Sequence, residues 1–78
     1  MPALDDEGMR AALAAATAAG AAGEVPVGAV VMRDGAVLVA AGNRTVRDQD
    51  PTAHAELLAI RQAAALVGSW RLAGCTLY

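Results

Sequence analysis

The sequence predicts an α/β fold built in the order helix, β-hairpin, helix, strand. Three observations predict it. Met9, Leu13, Ala16 and Ala19 recur at helical spacing; the β-branched run from Val25 to Met32 breaks at Arg33-Asp34-Gly35 and resumes at Val37; Leu57, Ile60, Ala64 and Val67 then restore the helical period.

The first helix is expected to be capped by Asp5 or Asp6, whose carboxylates suit its positive end, and to stop at Gly20 and Gly23. Asp34-Gly35 is a strong hairpin signal. Neither flanking strand alternates cleanly between polar and apolar, which implies cover on both faces. Gly42-Asn43-Arg44 leads out of the second strand into a polar loop through Asp50. Thr52, after Pro51, is the expected N-cap of the second helix; His54 would lie in its first turn, and Gly68 would close it. Leu57, Ile60, Ala64 and Val67 form its expected packing stripe. Cys75-Thr76-Leu77-Tyr78 reads as the start of a third strand, entering the sheet beside the hairpin through the helical crossover. That strand would stand at an open apolar edge, so the sheet reads as cut off in the middle.

The chain has 78 residues, enough for one small domain or a piece of a larger one. Such a chain buries only about 60–65% of the surface its unfolded form exposes. Its hydrophobic fraction is 56%, but much of that is alanine and there is no Phe. Alanine removes little apolar area from water, so metal, a partner or further sequence is expected to make up the deficit. The single cysteine, Cys75, excludes an internal disulfide and is expected to be a small core residue. Trp70 is expected to close the small core after the second helix. A net charge of −2 gives no global attraction to nucleic acid, although all six basic residues are Arg. The run Ala11–Ala22 is too short and weakly apolar to span a bilayer. Asp5, Asp6 and Glu7 interrupt any signal-peptide pattern, so no membrane association and a cytoplasmic location are expected.

The segment Asp50-Pro51-Thr52-Ala53-His54-Ala55-Glu56 is the chemical candidate. A neutral imidazole at His54 can bind zinc, and an ionised carboxylate at Glu56 can take a proton from metal-bound water. On residue types alone the pair reads equally as capping or solvated groups. One histidine and one unplaced cysteine do not make a zinc site, which needs three protein ligands and an open position. Asn43 offers both a donor and an acceptor to a base edge, or is a turn residue after Gly42. Arg44 and Arg47 meet phosphate or are solvated.

Four stretches taken together are more specific. Gly23-Glu24-Val25-Pro26-Val27-Gly28-Ala29-Val30-Val31, Gly42-Asn43-Arg44, the His54 segment, and Arg71-Leu72 with Gly74 and Thr76-Leu77-Tyr78 resemble the front half of bacterial tRNA adenosine deaminases. The likeness runs from about Met9 to Tyr78, and His-x-Glu followed by Pro-Cys-x-x-Cys is the signature of base-flipping zinc deaminases. It implies a partial cytidine deaminase-like fold over residues 1–78, lacking the later strands and helices. It implies that His54 binds zinc, that Glu56 shuttles the proton, and that Asn43, Val27 and Ala55 contact the flipped adenine. The implied reaction turns the wobble adenosine of a tRNA anticodon loop into inosine, in proteins that are usually homodimers. The sequence ends before a Pro-Cys-x-x-Cys segment, so the zinc site is expected to be incomplete and the chain inactive alone. A guanine or cytosine deaminase of the same superfamily is the alternative enzyme. A non-catalytic half that assembles with a complementary C-terminal chain is the alternative of another class.

Overall fold

A computed structural model describes residues 2–78. Its elements are α1 (Pro2–Ala21), β1 (Gly28–Arg33), β2 (Ala36–Gly42), α2 (Ala55–Val67) and β3 (Cys75–Leu77). The Asp-Gly signal forms the expected hairpin. Arg33 pairs with Ala36 across a two-residue turn in which Asp34 (φ 54°) and Gly35 (φ 76°) both take the left-handed region. Turns of that kind match the right-handed twist of the strands they join. The ladder slips between Val31–Val39 and Met32–Val37, which leaves Leu38 as the extra residue of a β-bulge. Leu38 then packs beside Val39 on the same apolar cluster.

β1 is the central strand, antiparallel to β2 on one side and to β3 on the other. Tyr78 extends the β3 ladder, exchanging two 2.9 Å backbone hydrogen bonds with Val30. Its ring lies over Gly8, and its hydroxyl donates to the Asp5 carboxylate in the first turn of α1. That hydrogen bond, with burial, pushes the phenol above its usual range.

The two helices cover opposite faces of the sheet. Ala12 of α1 packs on Val30 and Met32, while Ala55, Ala59 and Ala63 of α2 pack on Ala29, Val31, Val39 and Ala41. This is a three-layer α/β arrangement in which β1 is buried on both faces, as its unalternating sequence implied. β2 is more open, with Ala36, Val37 and Ala40 exposed.

Several boundaries differ from expectation. α1 begins at Pro2, not after an Asp5 or Asp6 cap, because proline lacks the N–H that a first helical turn would leave unbonded. β1 begins at Gly28; Val25-Pro26-Val27 instead forms a tight turn closed by a 2.8 Å bond from the Val27 N–H to the Val25 carbonyl. The buried face of α2 is the alanine row, not Leu57 and Ile60, which are 42% and 37% exposed. Trp70 does not close the core. It is 83% exposed and stacks with the Arg71 guanidinium, 5.3 Å from the ring centre. Gly68 does end α2, in the left-handed region with its N–H bonded to the Ala64 carbonyl. Cys75 is a free, half-buried thiol against the α2-side cluster.

The close fit of the layers explains the alanines. Gly28 and Gly42 face each other across the ladder beneath α1. A methyl group on Gly28 would overlap the Ala12 carbonyl oxygen and the Ala16 nitrogen, both backbone atoms that cannot rotate away. One on Gly42 would meet the Ala19 Cβ at 2.9 Å. Helix backbone thus rests directly on strand backbone. Gly28→Ala is therefore expected to destabilise the fold by about 1–3 kcal/mol or more, read as a lower urea midpoint; an unchanged midpoint would mean that α1 is free to lift.

Candidate functional site

Three of the expected site residues meet where β1 begins, β2 ends and α2 begins. The Val27 carbonyl, just before β1, accepts the Asn43 N–H at 3.0 Å. Asn43, one residue past β2, is buried, and its Oδ1 accepts the Ala55 N–H at 2.9 Å. Ala55 is the fully buried first residue of α2. Two hydrogen bonds therefore join Val27, Asn43 and Ala55 in space.

His54 is the N-cap residue of α2, one position outside its first turn, and makes no side-chain cap. Its carbonyl accepts the Leu58 N–H at 3.0 Å and so opens the helix ladder. Thr52 is not the cap. The Asp50 carboxylate takes both the Thr52 N–H at 2.9 Å and the Thr52 hydroxyl at 2.7 Å, which holds Pro51-Thr52 in a turn before the helix. Those two bonds, the hydroxyl's first, hold the Asp50 carboxyl below its usual range despite some burial.

A helix start leaves unbonded N–H groups that a local side chain usually satisfies. Here Asn43 does so from twelve residues upstream. The His54 imidazole is spared that task and is exposed, as is Glu56 in the first turn. Leu58 and Gln62 line a groove over β2, so helical periodicity sets Glu56, Ile60, Ala64 and Val67 on the opposite flank of α2, toward β3. The groove, of about 350 Å³, is also lined by Arg44 and Arg47 but not by His54 or Glu56. Among the described residues the Asn43 amide nitrogen has no hydrogen-bond partner, yet no buried polar side-chain atom is stranded. The carboxamide thus caps the helix with its oxygen and keeps a donor for another molecule.

Sequence reading missed Glu24. Its side chain has no exposed surface. It accepts the Val46 N–H at 3.0 Å, the Arg47 N–H at 2.8 Å and the Arg47 Nε–H at 3.0 Å. Burial pushes its carboxyl up, but the hydrogen bonds and the Arg47 charge outweigh it, and the group sits below its usual range. Arg47 is accordingly an anchored residue, not a simply solvated one, and Arg44 pairs with Asp48 at 3.0 Å. The available signal was a lone acid between Gly23, in the left-handed region, and the Val25-Pro26 turn.

The described residues do not by themselves complete a zinc site. Among the described residues no three His, Cys, Asp or Glu side chains converge on a point where a metal ion could be held. His54 stands alone, and a zinc site needs three protein ligands.

Both shifted carboxyls, Glu24 and Asp50, lie below their ordinary values of 4.5 and 3.8 in the folded chain. A depressed carboxyl stabilises the fold above its unfolded pKa, and that stability is lost as pH falls through the folded pKa. The thermal midpoint is expected to be flat from about pH 8 to about pH 5 and to fall below about pH 4.5. Glu24→Gln should flatten part of that fall. Melts that stay level down to about pH 3 would contradict the assignment.

The comparisons with known proteins agree with this architecture. The sequence profile described as the cytidine and deoxycytidylate deaminase zinc-binding region matches residues 2–78. A tRNA-specific adenosine deaminase of Agrobacterium fabrum is 49% identical over 70 residues, covering 90% of this chain and 46% of that protein. A structure solved in a study of A-to-I editing by tRNA:A34 deaminases at the wobble position superposes with a TM-score of 0.89 at 46% identity, covering 95% of this chain and 57% of that one. The guanine deaminase of Bacillus subtilis superposes equally well, with a TM-score of 0.89 at 38% identity over 94% of this chain and 47% of that one. The chain thus spans about half the length of these relatives. No helix among the described residues is long and apolar enough to cross a membrane. By fold and by sequence, the chain belongs to the cytidine and deoxycytidylate deaminase zinc-binding family.

Proposed function

We propose that residues 1–78 are the N-terminal part of a single zinc-dependent deaminase domain that converts the wobble adenosine of a tRNA anticodon loop to inosine. The observation that carries this reading is the junction at Asn43. A spare amide donor on Asn43, the exposed His54 imidazole and the exposed Glu56 carboxylate all stem from residues tied together through Ala55. In such a hydrolysis water oxygen bonds to C6 of the base and the amino group leaves as ammonia. Asn43 donates to the base, Val27 packs against it, and Glu56 carries the proton from water to the departing nitrogen. Ala55, fully buried, does not reach the base and acts by holding the Asn43 carboxamide. His54 is the one imidazole available to zinc, so the remaining ligands come from outside the described residues. On this reading the chain alone does not deaminate.

The same reading explains the bare surfaces. β3 is an edge strand, and Leu77 on it is 46% exposed. Ile60, 37% exposed, lies on the flank of α2 toward the same side, and Leu57 beside it faces outward. A complementary C-terminal half would pair with that edge and cover those side chains. The tRNA partner, a homodimer of the completed domain and a cytoplasmic location belong to this proposal. The equal superposition of guanine deaminase supports the second enzymatic reading, deamination of a free base.

The test uses an anticodon stem-loop, free guanine and zinc. The chain alone should form no inosine. Co-expressed with the C-terminal half of a tRNA-specific adenosine deaminase, it should act on the stem-loop and not on guanine. Glu56→Gln should then cost about a hundredfold or more in kcat. Turnover by the chain alone, or full activity with Glu56→Gln, would contradict the proposal; turnover of guanine alone would favour the second enzyme, and a stable inactive complex the assembly module.

A further inference from the structure

Among the described residues, Glu24 and Asn43 are the buried polar side chains, and one arginine connects them. Arg47 donates through Nε to Glu24 at 3.0 Å and through Nη2 to the Asn43 carbonyl at 2.9 Å. The loop they hold has no apolar anchor. From Thr45 to Thr52 every residue is exposed or half-exposed, and Val46 is 55% exposed. Its other backbone ties are local, among them Asp48 to Arg44, Gln49 to Val46, Asp50 to Thr45 and Ala53 to Asp50, with the Arg44 N–H bonded to the Ala53 carbonyl across its base. Glu24 supplies the long-range ones, three hydrogen bonds spanning 22 or 23 residues.

A buried carboxylate is a costly way to fix a loop, because desolvation offsets much of what its partners return. An apolar side chain at position 24, packed on an apolar one in the loop, would hold the same segment at lower cost. What the carboxylate adds is direction. One of its oxygens, Oε2, takes both the Arg47 backbone N–H and the Arg47 Nε–H, and the guanidinium so oriented aims a second donor, Nη2, at the Asn43 carbonyl.

We propose that Glu24 is a positioning residue for the site. Acting through Arg47, it sets the Asn43 backbone, and so the carboxamide that caps α2 between His54 and Glu56. The inference rests on the reading of Asn43 as the base-contacting amide, but its structural relay is measurable without base or zinc.

The experiment is amide hydrogen exchange and side-chain amide NMR on the chain and on Glu24→Gln. Exchange at Val46, Arg47 and Ala55 should rise about tenfold, and the Asn43 side-chain resonances should shift, while Val30 and Val39 in the sheet stay protected. A rise confined to Val46 and Arg47, with Ala55 and Asn43 unmoved, would overturn the relay. If Glu24→Gln instead raises exchange everywhere, the decision passes to Arg47→Leu, which cuts the link to Asn43 and keeps the two backbone bonds to Glu24. There Ala55 and Asn43 must again respond with the sheet unchanged, and no response overturns the proposal. An intact relay in an assembly that deaminates nothing would sink the functional reading and leave the role of Glu24 standing.

Discussion

The hydrogen bond from the Ala55 N–H to the Asn43 carboxamide is the joint on which the rest of this structure turns. It ties the end of β2 to the start of α2 and replaces the local cap that the helix lacks. Because the acceptor comes from the sheet, the first turn of α2 is registered against the strands and not merely against its own loop. His54 and Glu56, on either side of Ala55, inherit that register. A local serine or aspartate cap would stabilise the helix as well, but would leave its start free to shift relative to β1 and β2.

The second constraint is the thinness of the layers. Glycine at positions 28 and 42 lets α1 touch the strands, and alanine at 55, 59 and 63 lets α2 do the same on the other face. Thin layers bury little area per residue, so the core contributes less than its 56% hydrophobic composition suggests. The larger apolar side chains are displaced to the flanks, where Leu57, Ile60, Leu66 and Trp70 remain exposed. Economy of space at the sheet and bare apolar surface beside it are two results of one packing choice.

Much of this was legible in the sequence. Asp34-Gly35 dictated a turn that only positive φ at both positions can make, and Gly68 dictated the end of α2. The order of elements followed from the change between strand-like and helical periods. What failed was any inference that large apolar residues mark the buried face. Leu57, Ile60, Ala64 and Val67 have helical spacing, yet the residues of α2 fully buried against the sheet are Ala55, Ala59 and Ala63, with Leu58 packed at their side. The N-cap failed because Asp50 captured Thr52 locally. The candidate site residues His54, Glu56 and Asn43 were nameable from their motif, but the tie from Asn43 to Ala55 was not, since no spacing rule links a strand end to a helix start. Glu24 was invisible for the same reason: its partners lie more than twenty residues away.

The most direct measurement compares amide exchange at Ala55 in Asn43→Asp and Asn43→Ala. Aspartate keeps an acceptor oxygen and adds a charge that suits a helix N-terminus, while alanine removes the acceptor. If Asn43 is the joint, protection of Ala55 survives in Asn43→Asp and is lost in Asn43→Ala. Equal protection in both variants would show that the register of α2, and with it the placement of His54 and Glu56, is set by something else.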